Sequence, residues 1–153
     1  TTEALATHVD LATTLCALGG VDGDRASSLS GVDLTPALAD PAARPRDHVF
    51  FSQDSAQSEL IRGCRYAVRG FFDGTTKYAR YYGIGGGIDR TGQRAPTPKL
   101  FDVDAAFDDH DHEWYELDED PHELVNLAHD RGRRDQLRGH FERLLEIEAA
   151  ELG

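Results

Sequence analysis

The chain has 153 residues, enough for one ordinary domain or for a domain with the edge of another. Its 16 Lys and Arg against 28 Asp and Glu leave a net charge of −12, which argues against a nucleic-acid backbone or an anionic membrane surface as partner. No apolar stretch approaches the roughly 18–20 residues a spanning helix needs, and no signal peptide opens the chain.

Hydrophobic residues at 39% suffice for a core. The chain opens at Thr1 and contains no Met, which reads as a piece of a longer protein. Lys77 and Lys99 are the two lysines among its 16 basic residues, an Arg preference that suits a GC-rich prokaryotic source. Cys16 and Cys64 make no CxxC pair, and their expected role is that of two small buried thiols.

Leu5 to Leu18 reads as a short helix. Asp10 is a good N-cap, Leu11, Leu15 and Leu18 recur at helical spacing, and Gly19-Gly20 supplies the stop. Val21 to Pro45 reads as loop with one short helix in the apolar island Val32 to Leu38, led by Pro36. From Asp47 the pattern turns to strands: His48 to Phe51, Leu60-Ile61, Tyr66 to Val68 with Phe71-Phe72, and Tyr78 to Tyr82. Asp73-Gly74 between the last two marks a tight turn and a hairpin. Gly83 to Pro98 reads as loop. Leu100-Phe101 and Trp114-Tyr115 with Leu117 are further extended candidates. The last thirty residues read as helix, with Leu137, Phe141, Leu144, Leu145, Ala149 and Leu152 forming one apolar stripe. The expected class is α+β: a small antiparallel sheet of about four strands with a long amphipathic C-terminal helix packed on it.

Signals for chemistry are sparse. No GxSxG elbow occurs, and Ser27, Ser28 and Ser30 sit in a polar loop without a nearby base. The glycines of the 83–87 run match no phosphate-binding pattern. His110-Asp111-His112, flanked by Asp108, Asp109 and Glu113, offers imidazoles and carboxylates to a divalent metal. Neighbouring positions of an extended chain point to opposite faces, however, so a solvated acidic stretch is the competing reading. Asp120-Pro121-His122-Glu123 has the spacing of a capping box, with Asp at N-cap, Pro at N1 and Glu at N3. The rival for that motif is a reactive carboxylate pair.

Four stretches, in order, resemble the C-terminal part of the sulfatases of the alkaline-phosphatase superfamily. Thr7-His8-Val9-Asp10-Leu11-Ala12-Thr13-Thr14-Leu15, followed by Leu18-Gly19-Gly20-Val21, resembles a Val-Asp-Leu-x-Pro-Thr-Leu helix, with Thr13 where the Pro usually stands. Ser30-Gly31-Val32-Asp33-Leu34-Thr35-Pro36-Ala37-Leu38 is similar to a Gly-x-Ser/Asp-Leu-x-Pro-x-Leu stretch. Ile61-Arg62 with Tyr66, then Lys77-Tyr78-Ala79-Arg80-Tyr81-Tyr82, is similar to the family's Ile-Arg…Tyr-Lys-Tyr strands. The most specific is Glu113-Trp114-Tyr115-Glu116-Leu117-Asp118-Glu119-Asp120-Pro121-His122-Glu123-Leu124-Val125-Asn126-Leu127-Ala128. It resembles a Glu-Leu-Tyr-Asp-Leu…Asp-Pro-x-Glu-x-x-Asn-Leu-Ala signature.

The resemblance implies residues 1–47 as the tail of a large α/β catalytic domain and 48–153 as a C-terminal subdomain. It implies a parent that hydrolyses sulfate esters with a formylglycine nucleophile and calcium, both sited upstream of this chain. Neither Cys16 nor Cys64 stands in a Cys-x-Pro/Ala-Ser-Arg motif. No catalytic or metal residue therefore maps onto these 153 positions, substrate-binding residues stay open, and the isolated chain is expected to be inactive. The implied partners are the N-terminal catalytic domain of the same protein and a small sulfate ester, with no nucleic acid and no membrane. A phosphodiester or phosphonate monoester hydrolase of the same superfamily is the near alternative, and a non-catalytic acidic protein-binding module the distant one. Cytoplasmic or exported location stays open.

Overall fold

The computed structural model describes residues 1–21, 28–53, 65–84 and 103–153, and divides into two compact units, Thr1–Val49 and Phe50–Gly153. Among the described residues no helix is long and apolar enough to cross a membrane.

The first unit holds helices α1 (Val9–Leu18) and α2 (Thr35–Ala39). Helix α1 starts at Val9, not at Leu5, and His8 rather than Asp10 occupies the N-cap position. Asp10 lies inside the first turn and is fully buried. Its carboxylate accepts from the Thr7 N–H at 2.8 Å, the Val32 N–H at 2.8 Å and the Arg46 guanidinium at 2.7 Å. A carboxylate satisfied by two segments outside the helix does more there than as a local cap, so tertiary contacts set the helix start. One turn on, the Thr14 hydroxyl donates to the Asp10 carbonyl at 2.7 Å and accepts from the Leu34 N–H at 3.0 Å. Just before these two ties, a Cβ added to Gly31 would lie 2.1 Å from the Val9 carbonyl oxygen. Only glycine admits that approach. Cys16 is half-buried rather than buried, and Cys64 lies outside the described residues.

The second unit is α+β. Strands β1 (Val49–Gln53), β2 (Arg65–Phe72), β3 (Thr76–Ile84) and β4 (Asp111–Glu116) make one sheet in the order β1-β2-β3-β4, antiparallel at the β2–β3 and β3–β4 pairings. The Asp73-Gly74 turn joins β2 to β3 as expected. Its Asp73 carboxylate accepts from the Thr76 N–H at 2.8 Å, and Gly74 takes φ 104°. The strand candidates Leu60-Ile61 and Leu100-Phe101 lie outside the described residues.

Helix α3 (Arg134–Leu152) covers the sheet. Phe71, Tyr78, Phe107, Trp114, Leu137, Phe141, Leu144 and Ile147 form the core between them. Fully burying one such side chain is worth about 1.5–3 kcal/mol. The expected stripe holds for Leu137, Phe141 and Leu144 and then departs from the sequence reading. Leu145, Ala149 and Leu152 face solvent, while Ile147 and Glu148 are buried. The spacing Leu137, Phe141, Leu144, Glu148 keeps one face toward the sheet, whereas Leu145 and Leu152 lie about a quarter-turn away. Glu148 is held by charge: its carboxylate takes Arg80 at 2.6 and 2.7 Å and Arg69 at 2.8 Å.

Candidate functional site

The register of the sheet places Arg69, Arg80 and His112 on the face that carries Phe71, Tyr78 and Trp114, because Arg69 pairs with Arg80 and Arg80 with His112. Three basic or titratable side chains thus point toward the core. Arg80 is 1% exposed, and its guanidinium also donates to the Val103 carbonyl at 2.7 Å and lies over the Tyr82 and Phe141 rings. A buried guanidinium costs several kcal/mol unless paired and fully hydrogen-bonded, which Glu148 and Val103 achieve. This clamp was missed in the sequence. The signal was present: Arg69 and Arg80 each sit two residues from core aromatics on a strand, and Glu148 stands four after Leu144 on the helix.

Strand β4 is the edge of the sheet, and Asn126 closes part of it. Its side-chain oxygen accepts from the Trp114 N–H at 3.1 Å and the Ala128 N–H at 3.0 Å, while its amide donates to the His112 carbonyl at 3.0 Å. One side chain therefore mimics a strand residue against the unpaired edge. That is the physical content of the Asn126-Leu127-Ala128 motif.

Beside this edge lies an open cleft of about 410 Å³ whose lining includes Tyr81, Asp111, Glu113, Asn126, His129 and Arg134. The Tyr81 hydroxyl donates to Glu113 at 3.0 Å. Burial first, then the Glu113 carboxylate, pushes that phenol up to about 12, so it stays a neutral donor. Arg134 pairs with Asp108 on the rim.

His110 and His112 both face inward while Asp111 between them is exposed, so the alternation of an extended strand separates the three. The His112 Nε2 lies 2.9 Å from the Phe107 carbonyl and must carry the proton, so Nδ1 is the acceptor for the Tyr78 hydroxyl at 2.8 Å. Both nitrogens are committed. The His110 Nε2 lies 3.0 Å from the Ala105 carbonyl and 3.3 Å from an Arg80 nitrogen, a poor neighbour for a cation. Among the described residues no group of three or more His, Cys, Asp or Glu side chains is arranged to hold a metal ion.

The Asp120 capping box is replaced by a different device. No helix starts at Pro121; α3 begins only at Arg134, after short 3₁₀ turns at Leu127–His129 and Arg131–Arg133. The Asp120 carboxylate accepts from the Val125 N–H at 2.8 Å, and the N–H groups of Val125, Leu124 and His122 hold it below the usual carboxylate range. Glu123, at φ 54°, turns away to pair with Lys77 at 2.6 Å. The loop between β4 and α3 doubles back under Asp120, and Glu123 gains a cation instead of an N-cap. Ser28 and Ser30 are exposed, and Ser27 and residues 85–102 lie outside the described ones.

No protein-family model matches the sequence, and no curated protein matches it. Solved structures do. The structure of BT4656 in complex with its substrate D-glucosamine-2-N,6-O-disulfate aligns with 99% of this chain at TM-score 0.68 and 18% identity. BT1596, a 2-O GAG sulfatase, aligns with 93% at TM-score 0.61 and 20% identity. The fold is that of a sulfatase segment. A phosphonate monoester hydrolase of Agrobacterium radiobacter shares it at TM-score 0.54 and 22% identity over 93% of the chain. The chain spans 25%, 24% and 24% of those three chains, about a quarter of each.

Proposed function

We propose that this chain is the C-terminal part of a sulfatase-like hydrolase, with residues 1–47 the tail of its large catalytic domain and 48–153 a bracing subdomain that walls one side of the substrate cleft. The observation that carries the reading is that nearly all of the chain takes the fold of one quarter of a sulfatase-length protein. The first unit supports it independently. Val9, Leu11, Leu15, Leu18 and Leu38 are between 50% and 69% exposed, while Asp10, Thr14 and Arg46 of the same unit are buried. An apolar face left open around a satisfied polar centre suits a unit that a further layer covers.

In this reading the chemistry belongs to the domain preceding Thr1, where formylglycine supplies the nucleophile and calcium stabilises developing charge. The residues of this chain orient and brace. The phosphonate monoester hydrolase likeness favours a second reading, in which the parent cleaves a phosphonate or phosphodiester with the same architecture. A non-catalytic acidic module that binds a protein partner is the third.

The test is turnover of 4-nitrophenyl sulfate, phenyl phenylphosphonate and bis-4-nitrophenyl phosphate by the full-length gene product, beside the 153-residue chain alone. Sulfate turnover by the full-length protein and none by the chain is the expected result. Preference for the phosphonate would select the second reading. A gene product that ends near this chain and turns over none of the three would select the third.

A further inference from the structure

Two half-buried histidines of the second unit are packed among aromatic rings where α3 meets the sheet. The His112 ring is stacked on Phe107 at 4.6 Å and lies 6.1 Å edge-on from Phe141 of α3. Its neutral form satisfies both of its hydrogen bonds, with Nε2–H to the Phe107 carbonyl and Nδ1 accepting from Tyr78. A proton on Nδ1 would turn that acceptor into a donor, and the Tyr78 hydroxyl, in a side chain that is 0% exposed, would have to redirect its own hydrogen into apolar surroundings. His140, on α3, is packed against three strands at once: 4.6 Å from the Trp114 ring, 5.9 Å from Tyr78 and 6.2 Å from Phe71.

We propose that His112 and His140 form an acid-sensitive latch between the sheet and α3, closed while both rings are neutral and loosened when either is protonated. Each lies at the contact between α3 and the sheet, one from either side, and both touch Tyr78. The charged groups around them do not offset the change. His112 faces His110 from the preceding turn and Arg134 from α3, both opposing protonation, with Asp111 on its own strand favouring it. His140 faces Glu116 of β4 and Asp73 of the β2–β3 turn, which favour protonation, and Arg143 of α3, which opposes it. Glu116 is engaged by the Trp114 indole at 2.7 Å and by the Thr76 hydroxyl at 3.0 Å, and Asp73 by Arg143 at 2.6 Å. Burial is the largest effect on both rings and holds each below the ordinary histidine value of 6.5.

The sign follows by linkage. A histidine held low in the fold leaves the unfolded chain binding more protons between its folded value and 6.5, so the latch is complete above about pH 6.5 and is lost as pH falls through the folded value. Its consequence is local: Leu137 at the start of α3 and His112 both line the cleft beside β4, so loosening the helix reshapes that cleft. The latch stands whatever ester the larger protein cleaves.

The chain carries a probe of its own, because Trp114 is its single tryptophan and contacts His140. The experiment records histidine C2–H proton shifts, Trp114 fluorescence and the urea midpoint from pH 8 to pH 5, for the chain and for the His112→Gln/His140→Gln variant. The expected result is that both rings titrate below 6.5, that fluorescence and urea midpoint fall over the same range, and that the variant loses most of that fall. If the variant does not fold, the wild-type titrations decide alone. Rings titrating at or above 6.5, a urea midpoint equal at pH 8 and pH 5, or a variant as acid-sensitive as the wild type would overturn the latch.

Discussion

The two units bury charge in opposite company. In Thr1–Val49 the buried centre is polar, with Asp10 and Thr14 tying α1 to the segment before α2 and Arg46 tying it to the segment after, while Val9, Leu11, Leu15, Leu18 and Leu38 stand outside. In Phe50–Gly153 the buried ion cluster of Arg69, Arg80 and Glu148 is embedded in an aromatic and aliphatic core. A hydrogen-bonded carboxylate gives a unit a unique arrangement but little net stability, whereas apolar area gives stability in proportion to what is covered. The second unit therefore draws its stability from covered apolar area, whereas the first draws its geometry from Asp10 and leaves Val9, Leu11, Leu15, Leu18 and Leu38 exposed.

That contrast can be broken most severely at Glu148. Glu148→Ala leaves the buried Arg80 and the half-buried Arg69 without the carboxylate between them, and should cost about 3–5 kcal/mol in the second unit. Urea unfolding followed by Trp114 fluorescence reads it; an unchanged midpoint would mean that the cluster is solvated in solution. Asp10→Ala is the corresponding change in the first unit. Removing an acceptor of two backbone N–H groups and one guanidinium should cost about 2–4 kcal/mol. Protection of the Val32 amide against hydrogen exchange should drop while the β3 amides stay unchanged. In the wild type, burial raises the Asp10 carboxyl, but the Val32 N–H, Arg46 and the Thr7 N–H outweigh it and hold the group below the usual 3.8. Its contribution is then complete above about pH 4 and fades only as pH falls through that lower value.

Asn126→Ala sharpens the comparison at the sheet edge. It deprives the Trp114 N–H and the His112 carbonyl of partners that water can partly replace, so about 1–2 kcal/mol is expected, with faster exchange of the Trp114 amide. Leu15→Gln is the smallest change. Leu15 is 67% exposed, so in this chain the effect should stay within about 0.5 kcal/mol. In a full-length protein whose larger domain covers α1, the same substitution should destabilise clearly, and equal indifference in both settings would argue that nothing packs on that face.

Much of the second unit was legible in the residues. The aromatic-rich strand run Tyr78 to Tyr82, the Asp73-Gly74 turn and the stripe Leu137, Phe141, Leu144 gave the hairpin and the covering helix, because residue preferences, helix period and turn chemistry are local properties. The end of the stripe misled for an equally physical reason. Leu145 and Leu152 are apolar but lie off the contact face, and the pattern of hydrophobicity cannot see that Glu148 on that face meets two guanidinium groups.

The cleft beside β4 was half legible. The motif ending in Asn126-Leu127-Ala128 stood out, but its role as a mock strand depends on where β4 ends the sheet. The Asp120 spacing met every local rule for a capping box, yet the chain formed turns there, since Lys77 across on β3 offered Glu123 a stronger partner than a backbone N–H.

What the sequence determined by itself was therefore the β2–β3 hairpin, the covering helix α3 and the α+β class, all written in spacings of a few residues. The tertiary structure decided which polar side chains meet inside the fold: Asp10 with Arg46, Glu148 with Arg69 and Arg80, His112 with Tyr78. Each of those pairs joins residues distant along the chain, and the free energy of a buried polar group depends on the partner it meets, which no local pattern records.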